Sequence, residues 1–548
     1  MGRRFEFLCV ITMVCCLCGM FADVWALSDG YILCGAYGGT STILLDNNGT
    51  VIHTWRHTNL DDSTNGYSCY LLSNGDLLRS GIAPKNVIVS SSAQPRQGIL
   101  EAMDHNGDVI WKYQLADSTH MLHHDCKPLP NGNILAVSFH TVSKDDAVAK
   151  GIDASLFSGW TRSMDAEMIL EIDPDAQGGP KIVWEWHILD HVCPKDQAAA
   201  HPELFSGDLG PLFSGQWVHL NGIDYNPQKD IIVFSSRVFS ELYVIDHSTT
   251  TQEAAGHTGG AHGKGGDLLY RWGHPSNYGM NSGSTTVISC LHCPTWIPEG
   301  YSGAGNIMFF HNNVNSSMTS LGKSQVIEIT PPVGTDGKFQ YASGQPFGPV
   351  SPSWIYAPAD SFHSKSMSSA IRMPNGNTVI HEAYLDYNGG TGLPDQTTNS
   401  RIREVTPDKQ IVWNYYVSLK GAVESVFGMP VDTAAGYNPA KIMYYPSNYE
   451  GIVALLQKIS VSAQSDSLAC NTTQFFKPWI ACRNNVLTAH NAAGSEIMVY
   501  SLQGRLITSF TSHSDVATFN LPQSAFSCLV AVRGVNGHMA SRLIHKLR

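Results

Sequence analysis

The chain has 548 residues, with 34 Lys and Arg against 46 Asp and Glu, for a formal net charge of -12. No basic run interleaves with aromatic residues, which excludes a nucleic-acid surface. Fifty glycines and 27 prolines, with few helix-period runs, point to an all-β protein of many short strands joined by tight turns.

At the N-terminus, Arg3 and Arg4 precede an apolar run from Phe7 to Phe21 and the small residues Ala22 and Ala26. This pattern predicts a signal peptide over residues 1–26 and an exported protein, periplasmic, cell-surface or extracellular. No later stretch reaches the roughly 20 apolar residues of a spanning helix, so no transmembrane segment is expected in the mature chain. Four of the 13 cysteines (Cys9, Cys15, Cys16 and Cys18) leave with the peptide. In an oxidising compartment the remainder can pair, and the spacing favours Cys470 with Cys482, then Cys290 with Cys293. The Cys290-Leu291-His292-Cys293 quartet lacks the second Cys or His pair that zinc requires, and no metal is expected there.

Two patterns then recur six times. The first is a polar turn leading to a strand that ends on an aromatic, as in Leu45 to Trp55, Met103 to Trp111, Ile172 to Trp186 and Ile245 to Trp272. Weaker copies run from Ile329 to Tyr341 and from Val405 to Trp413. The second is a turn followed by an apolar strand, at Leu72 to Leu78, Leu129 to Leu135 and Met373 to Ile380, with looser forms at Asn226 to Val233, Pro298 to Phe309 and Pro446 to Val453. The Asn-Gly pairs supply the positive φ of tight hairpins. Six hairpin-rich units predict a six-bladed β-propeller over residues 28–456. A linker follows over residues 457–483, and residues 484–548 read as a small C-terminal β-sandwich with strands at Ser495 to Leu502, Leu506 to Phe510, Val516 to Leu521 and Cys528 to Val532.

Propeller ligand sites lie where inner strands and loops of several blades converge. Ahead of four copies of the second pattern stand histidine-bearing segments: His120 to Asp125 with His123 and His124, then His219-Leu220-Asn221, Leu291-His292-Cys293 and Phe362-His363-Ser364. Alternation puts His219 and Asn221 on one face, and the strand after Asn226-Pro227 returns Arg237 to the same end. Imidazole, carboxamide and guanidinium groups converging there suit a tetrahedral oxyanion such as sulfate or phosphate. Asp125 is placed either to orient an imidazole or to cap a turn. His53, His187, His274, His311 and His381 fall at other phases and read as structural.

The succession His123-His124-Asp125, His219-x-Asn221 with Arg237, Tyr270-Arg271-Trp272-Gly273-His274-Pro275 and His292 resembles the bacterial aryl-sulfate sulfotransferases, six-bladed propellers that use no nucleotide sulfate donor. The resemblance implies ping-pong transfer of a sulfuryl group from a phenolic sulfate to a phenolic acceptor through a sulfated histidine, without a cofactor. It implies His292 as nucleophile and His124, His219, Asn221 and Arg237 as sulfate-binding and acid/base groups; His123 and His363 are expected beside them as substrate-binding residues. The absence of a Gly-rich phosphate loop fits a route without a nucleotide. The C-terminal region, through Ile497 to Gly504, resembles the sorting domains that some Gram-negative bacteria append to proteins for a dedicated outer-membrane export machinery. Two alternatives stand beside this one. The first is a non-catalytic secreted propeller that binds glycans or sulfated ligands; the second is a quinone- or metal-dependent dehydrogenase propeller.

Overall fold

The computed structural model describes residues 27–56, 64–83, 97–157, 161–212, 215–280, 288–314, 323–358, 362–364, 366–383, 400–417, 439–469, 479–483, 486–490, 496–501, 506–511, 516–520, 527–533 and 539–545; from residue 461 on, Ile497 is the residue whose burial is described. The expected signal peptide lies outside these residues. By internal contacts the chain divides into two units, Met1–Val417 with Ala435–Lys458, and Ser418–Ala434 with Ile459–Arg548.

The first unit is a six-bladed β-propeller of four-stranded antiparallel sheets. From the inner strand outward, the second blade is Thr64–Leu71, Leu77–Ile82, Gly98–Met103 and Val109–Gln114. The third is His120–Pro128, Ile134–Ser143, Ser163–Asp173 and Lys181–His187. The fourth is Leu220–Asn226, Ile231–Ser236, Glu241–Asp246 and Tyr270–Trp272. Leu291–Trp296, Ile307–Val314, Lys323–Ile329 and Trp354–Tyr356 form the fifth, and Ser369–Arg372, Thr378–Glu382, Arg401–Val405 and Ile411–Tyr416 the sixth. The first blade is composite. Its strands Tyr31–Ala36, Ser41–Leu45 and Val51–Arg56 receive their inner strand from the far end of the propeller sequence, Pro439–Tyr445, with Tyr31 opposite Tyr445. This pairing closes the ring and leaves neither terminal blade with a bare inner edge.

Both sequence patterns map onto turn chemistry. In the inner hairpins, the side-chain oxygens of Asn74, Asn131 and Asn375 each accept the backbone N–H two residues on, while Gly75, Gly132 and Gly376 take φ of 83, 92 and 87°. In the outer hairpins, Asp46 and Asp104 each accept two backbone N–H groups, two and four residues on. The middle strands are mostly buried, and Ile231–Ser236 wholly so, because blades cover both their faces, whereas the outer strand Val109–Gln114 is largely exposed.

Four expectations change. In the fifth blade the outer strand is Trp354–Tyr356; Phe339 makes an isolated bridge to Val333 within the intervening loop. Pro446 to Val453 leads into no strand, since the next strand of its blade is supplied by Tyr31–Ala36, and the chain turns instead into the helix Glu450–Ala469. That helix also occupies the start of the expected linker: residues 452–469 carry neither Gly nor Pro, and Ile452 and Leu455 are buried. Neither Cys290 nor Cys293 forms a disulfide. Both adopt left-handed backbone, φ 55 and 48°, and their sulfurs diverge, Cys290 toward Ser289 Oγ and Cys293 toward the Tyr67 hydroxyl, each at 3.9 Å. The pair Cys470 and Cys482 lies outside the residues whose side chains are described.

The second unit contains a three-stranded sheet (Trp479–Arg483, Val486–His490, Val516–Asn520) and a four-stranded sheet (Leu506–Thr511, Glu496–Ser501, Ser527–Arg533, Met539–His545). The four expected strands lie within a residue or two of these, and three more join them. Among the described residues no helix is long and apolar enough to cross a membrane.

Candidate active site

The expected histidines stand on inner strands or just ahead of them, in consecutive blades. There the inner strands break register: between Leu122 and Cys126 in the third blade, Leu220 and Gly222 in the fourth, and His292 and Thr295 in the fifth. His124 and His219 themselves take positive φ, 52 and 56°, a conformation that costs a non-glycine residue roughly 1–3 kcal/mol. Bulges of this kind re-aim side chains that regular alternation would point elsewhere. Close approach of the fourth and fifth inner strands also demands a glycine, because a Cβ on Gly222 would sit 2.6 Å from Pro294 Cδ.

His124 and His219 meet edge to face with ring centroids 4.7 Å apart, and His123 packs on His124 at 5.0 Å. All three are buried, as is His292. Arg237 begins just past Ser236 and donates its backbone N–H to the His219 carbonyl at 3.1 Å, which fixes it beside that histidine as the hairpin predicts. Its positive charge acts on His124, His219 and His292 alike.

Hydrogen bonding assigns the protons. Asn312 donates its amide N–H groups to the carbonyls of Ser364 and Met367, so its Oδ1 faces His292 and accepts the Nδ1 proton at 2.6 Å. The lone pair of His292 therefore resides on Nε2. Likewise Gln216 Oε1 takes the Nδ1 proton of His219 at 2.6 Å. Glu167 binds His123 Nε2 at 2.9 Å, which turns His123 Nδ1 into the acceptor for His124 Nδ1 at 2.7 Å. The other Glu167 oxygen accepts the Leu220 N–H, tying the third blade to the fourth beside the cluster. His124, His219 and His292 thus share one tautomer, each with its Nε2 as the basic nitrogen.

Burial holds all three imidazoles neutral. It pushes His292 down to about 4, opposed by the Asn312 hydrogen bond, with further lowering by Arg237 and an opposing contribution from the Cys290 carbonyl. His124 lies well below the usual histidine range through burial, then through its neighbours His219, His123, His292 and Arg237; His219 does so through burial, then Arg237, His123 and His292. With neutral imidazoles, Arg237 supplies the local positive charge, which suits a monoanion such as a sulfate ester.

The other expected residues are placed as follows. Asn221 is fully buried and clamps the strand of the nucleophile candidate: Nδ2 donates to the Leu291 carbonyl at 2.8 Å, and Oδ1 accepts the Ser235 hydroxyl at 2.6 Å. His363 stands half-buried ahead of the sixth inner strand, and its place in the site rests on that position. Asp125 neither orients an imidazole nor caps a turn. It accepts the Lys441 ammonium at 2.8 Å and the Ile223 N–H at 3.3 Å. Lys441, from the closing strand, also donates to Tyr70 at 2.7 Å. Lys127 pairs with Asp224 at 2.7 Å, and Asp224 accepts the Trp296 N–H at 2.7 Å. This polar belt links the inner strands of the first five blades. Beyond it, near the terminal ends of the same strands, a cavity of about 750 Å³ is lined by Leu72, Trp111, Pro128, Asn226, Trp296 and Tyr449; the histidine cluster does not border it. Arg271, from the Tyr270-to-Pro275 motif, is buried against Glu241 and stacked over Tyr278, an architectural role.

Burial pushes the Cys293 thiol up to about 12, so the sulfur beside His292 is not a thiolate nucleophile. Glu167, Asn312 and Gln216 complete the site from positions that the sequence did not single out. Gln216, three residues before His219, had a local signal available; Glu167 and Asn312 had none.

Comparisons with known proteins bear on the family. No curated protein matches the chain. Among solved structures, a luciferin-regenerating enzyme shares 10% identity, covering 70% of this chain and 94% of its own, with a TM-score of 0.32. The apo form of AztD from Citrobacter koseri shares 8%, covering 90% and 98%, with a TM-score of 0.28. At such values neither says anything of this chain's activity. The profile of the arylsulfotransferase (ASST) family matches residues 36–421, a span that holds the second to sixth blades whole, two strands of the first and every residue of the histidine cluster. The chain therefore belongs to the arylsulfotransferase family, and it is a sulfotransferase built on a six-bladed propeller.

Proposed function

We propose that the protein moves a sulfuryl group from a phenolic sulfate ester to a phenolic acceptor by a ping-pong route through a sulfated His292. The observation that carries this is the His292 to Asn312 hydrogen bond, which gives a buried, neutral imidazole one defined lone pair, on Nε2. In the first half-reaction the Nε2–S bond forms while the bond from sulfur to the aryl oxygen breaks, and the phenolate leaves. In the second, Nε2 of His124 or His219 takes the proton of the incoming phenol as its oxygen attacks sulfur, and the S–N bond breaks to restore His292. The proton taken from one acceptor is returned to the phenolate that leaves in the next cycle. Arg237 balances the sulfuryl oxygens as charge moves to the leaving oxygen, and Asn221 holds the strand on which His292 rides. His123 and Glu167 orient His124, and His363 borders the acceptor side. No cofactor enters. The N-terminal segment carries the chain out of the cytoplasm, and the C-terminal sheets serve as a sorting or anchoring module for export machinery.

The test is transfer from 4-nitrophenyl sulfate to added phenol by purified mature protein without any nucleotide. Release of nitrophenolate is expected to depend on phenol and to give parallel double-reciprocal lines. Release without an acceptor makes the protein a sulfatase; inactivity over several aryl sulfates and phenols replaces transfer with ligand binding.

The acid limb of kcat/KM is a second expectation. The neutral form of a histidine held at about 4 is present above that pH and lost as the pH falls through it. Transfer should therefore persist well below pH 6.5 and fall off near pH 4 to 5, measured by initial rates at 4-nitrophenyl sulfate concentrations below KM. A limb at the ordinary histidine value of about 6.5 would contradict the buried, neutral nucleophile.

A further inference from the structure

We propose that His191, Asp267 and His257 form a binding site for a divalent ion of the zinc class, away from the histidine cluster and independent of the proposed reaction. His191 closes a short helical turn, Ile188–His191, after the outer strand of the third blade. Asp267 and His257 come from the glycine-rich excursion, residues 247–269, between the third and outer strands of the fourth blade. The three ligand atoms lie within 4.8 Å of one another.

The argument rests on where the protons are. His191 Nε2 lies 2.8 Å from the Ala254 carbonyl, which can only accept, so Nε2 carries the proton. In the neutral ring Nδ1 is then a lone pair, yet it faces Asp267 Oδ1 at 2.8 Å. Two acceptors at that distance repel unless a second proton or a cation stands between them. His257 Nδ1 converges on the same oxygen at 2.8 Å, a third ligand atom aimed at one point. A histidine whose far nitrogen donates to a backbone carbonyl, leaving the near nitrogen for the metal, is the arrangement that orients metal ligands.

The His191 side is prebuilt. Its ring is fully buried and stacks on Trp186 at 5.4 Å with planes 2° apart, and the Trp186 indole N–H donates to the Gly266 carbonyl at 2.8 Å. Gly266 closes over the ring so tightly that a Cβ there would lie 2.0 Å from the Ala254 oxygen and 2.6 Å from His191 Nε2. His257 is 60% exposed, so its side of the site faces solvent and a water can complete the set. Zinc–ligand bonds near 2.0–2.1 Å place tetrahedral ligand atoms about 3.4 Å apart, so both 2.8 Å approaches to Asp267 Oδ1 must open by under an ångström, a shift that the exposed His257 ring makes for its own pair and the Asp267 side chain, on the excursion, makes for the buried His191 pair. Two imidazole nitrogens and one carboxylate oxygen select zinc, cobalt or nickel over calcium and magnesium, which prefer all-oxygen sets. Bound metal would pin the excursion of the fourth blade to the end of the third.

The experiment titrates zinc chloride into chelator-treated full-length mature protein by calorimetry, with thermal unfolding followed in parallel. Wild type is expected to bind zinc with micromolar or tighter affinity and to unfold several degrees higher with zinc present. His257→Ala, at an exposed position that leaves the fold intact, should bind one zinc fewer or bind it at least about tenfold more weakly. It should also lose the thermal shift while retaining wild-type transfer from 4-nitrophenyl sulfate. Asp267→Asn should behave as His257→Ala does toward zinc. Absence of zinc uptake by wild type, or variants that bind zinc with the stoichiometry and affinity of wild type, overturns the site and leaves an imidazolium–carboxylate pair in its place.

Discussion

Replacing His292 with alanine is expected to abolish release of nitrophenolate from 4-nitrophenyl sulfate, a loss of at least about a thousandfold in kcat/KM. The other imidazoles cannot take over. His124 and His219 present basic nitrogens of the same kind, but each is held in its own direction, by His123 and by Gln216, on a different strand. The Asn312 side-chain oxygen, which accepts the His292 proton, would be left lacking its donor, at a cost of about 1–3 kcal/mol. A propeller of this size should absorb that loss, so the variant is expected to fold, as circular dichroism and thermal unfolding would check. Free imidazole added at tens of millimolar should enter the space left by the ring and restore part of the release. Release that survives the substitution unchanged would remove His292 from the reaction.

The second large effect concerns stability. Lys441→Met should destabilise the propeller by about 3–5 kcal/mol in chemical denaturation, because it leaves the Asp125 carboxylate buried without its cation. Burial opposes charge on Lys441, yet its ammonium is held above the usual lysine range by Asp125, by Cys293 and by the other acids around it. The double variant Lys441→Met with Asp125→Asn should recover most of the loss, since the remaining carboxamide is neutral. A single variant as stable as wild type would mean that water, and not Lys441, neutralises Asp125.

The fold was legible because each blade repeats its own turn chemistry. Asn74, Asn131 and Asn375 announce inner hairpins, and Asp46 and Asp104 announce outer ones, by local hydrogen bonds that sequence spacing alone encodes. Where the local signal lapsed, so did the reading. The fifth blade delays its outer strand to Trp354, past a long loop whose Phe339 and Tyr341 imitate the pattern. The ring closure misled the sixth copy at Pro446, since the strand that follows it in space lies more than 400 residues away in the chain.

Of the candidate site, the clustered histidines could be read and their supports could not. His124, His219 and His292 share one phase of the repeat, a periodic signal, and the hairpin through Asn226-Pro227 brings Arg237 to the same end. Glu167 reaches His123 across 44 residues, and Asn312 reaches His292 across 20, from strands whose sequence shows only a buried polar residue among apolar ones. The same blindness hid Lys441, which meets Asp125 across 316 residues. Tertiary proximity, not propensity, decides which buried polar side chain is a partner.

Lys441 travels on the strand that closes the ring, and this sets an order of assembly. Blades two to six can form as the chain emerges, but until residues 439–445 arrive the acid at position 125 has no counter-charge, and the first sheet has no inner edge. The last strand therefore delivers two things at once: the ladder that seals the circle, and the ammonium that makes its centre tolerable. A nascent or truncated chain lacking it would stay hydrated at the axis beside the imidazoles, where the sulfated nitrogen proposed above would be open to hydrolysis. Completion of the circle and protection of the chemistry are thus one event in the life of the molecule.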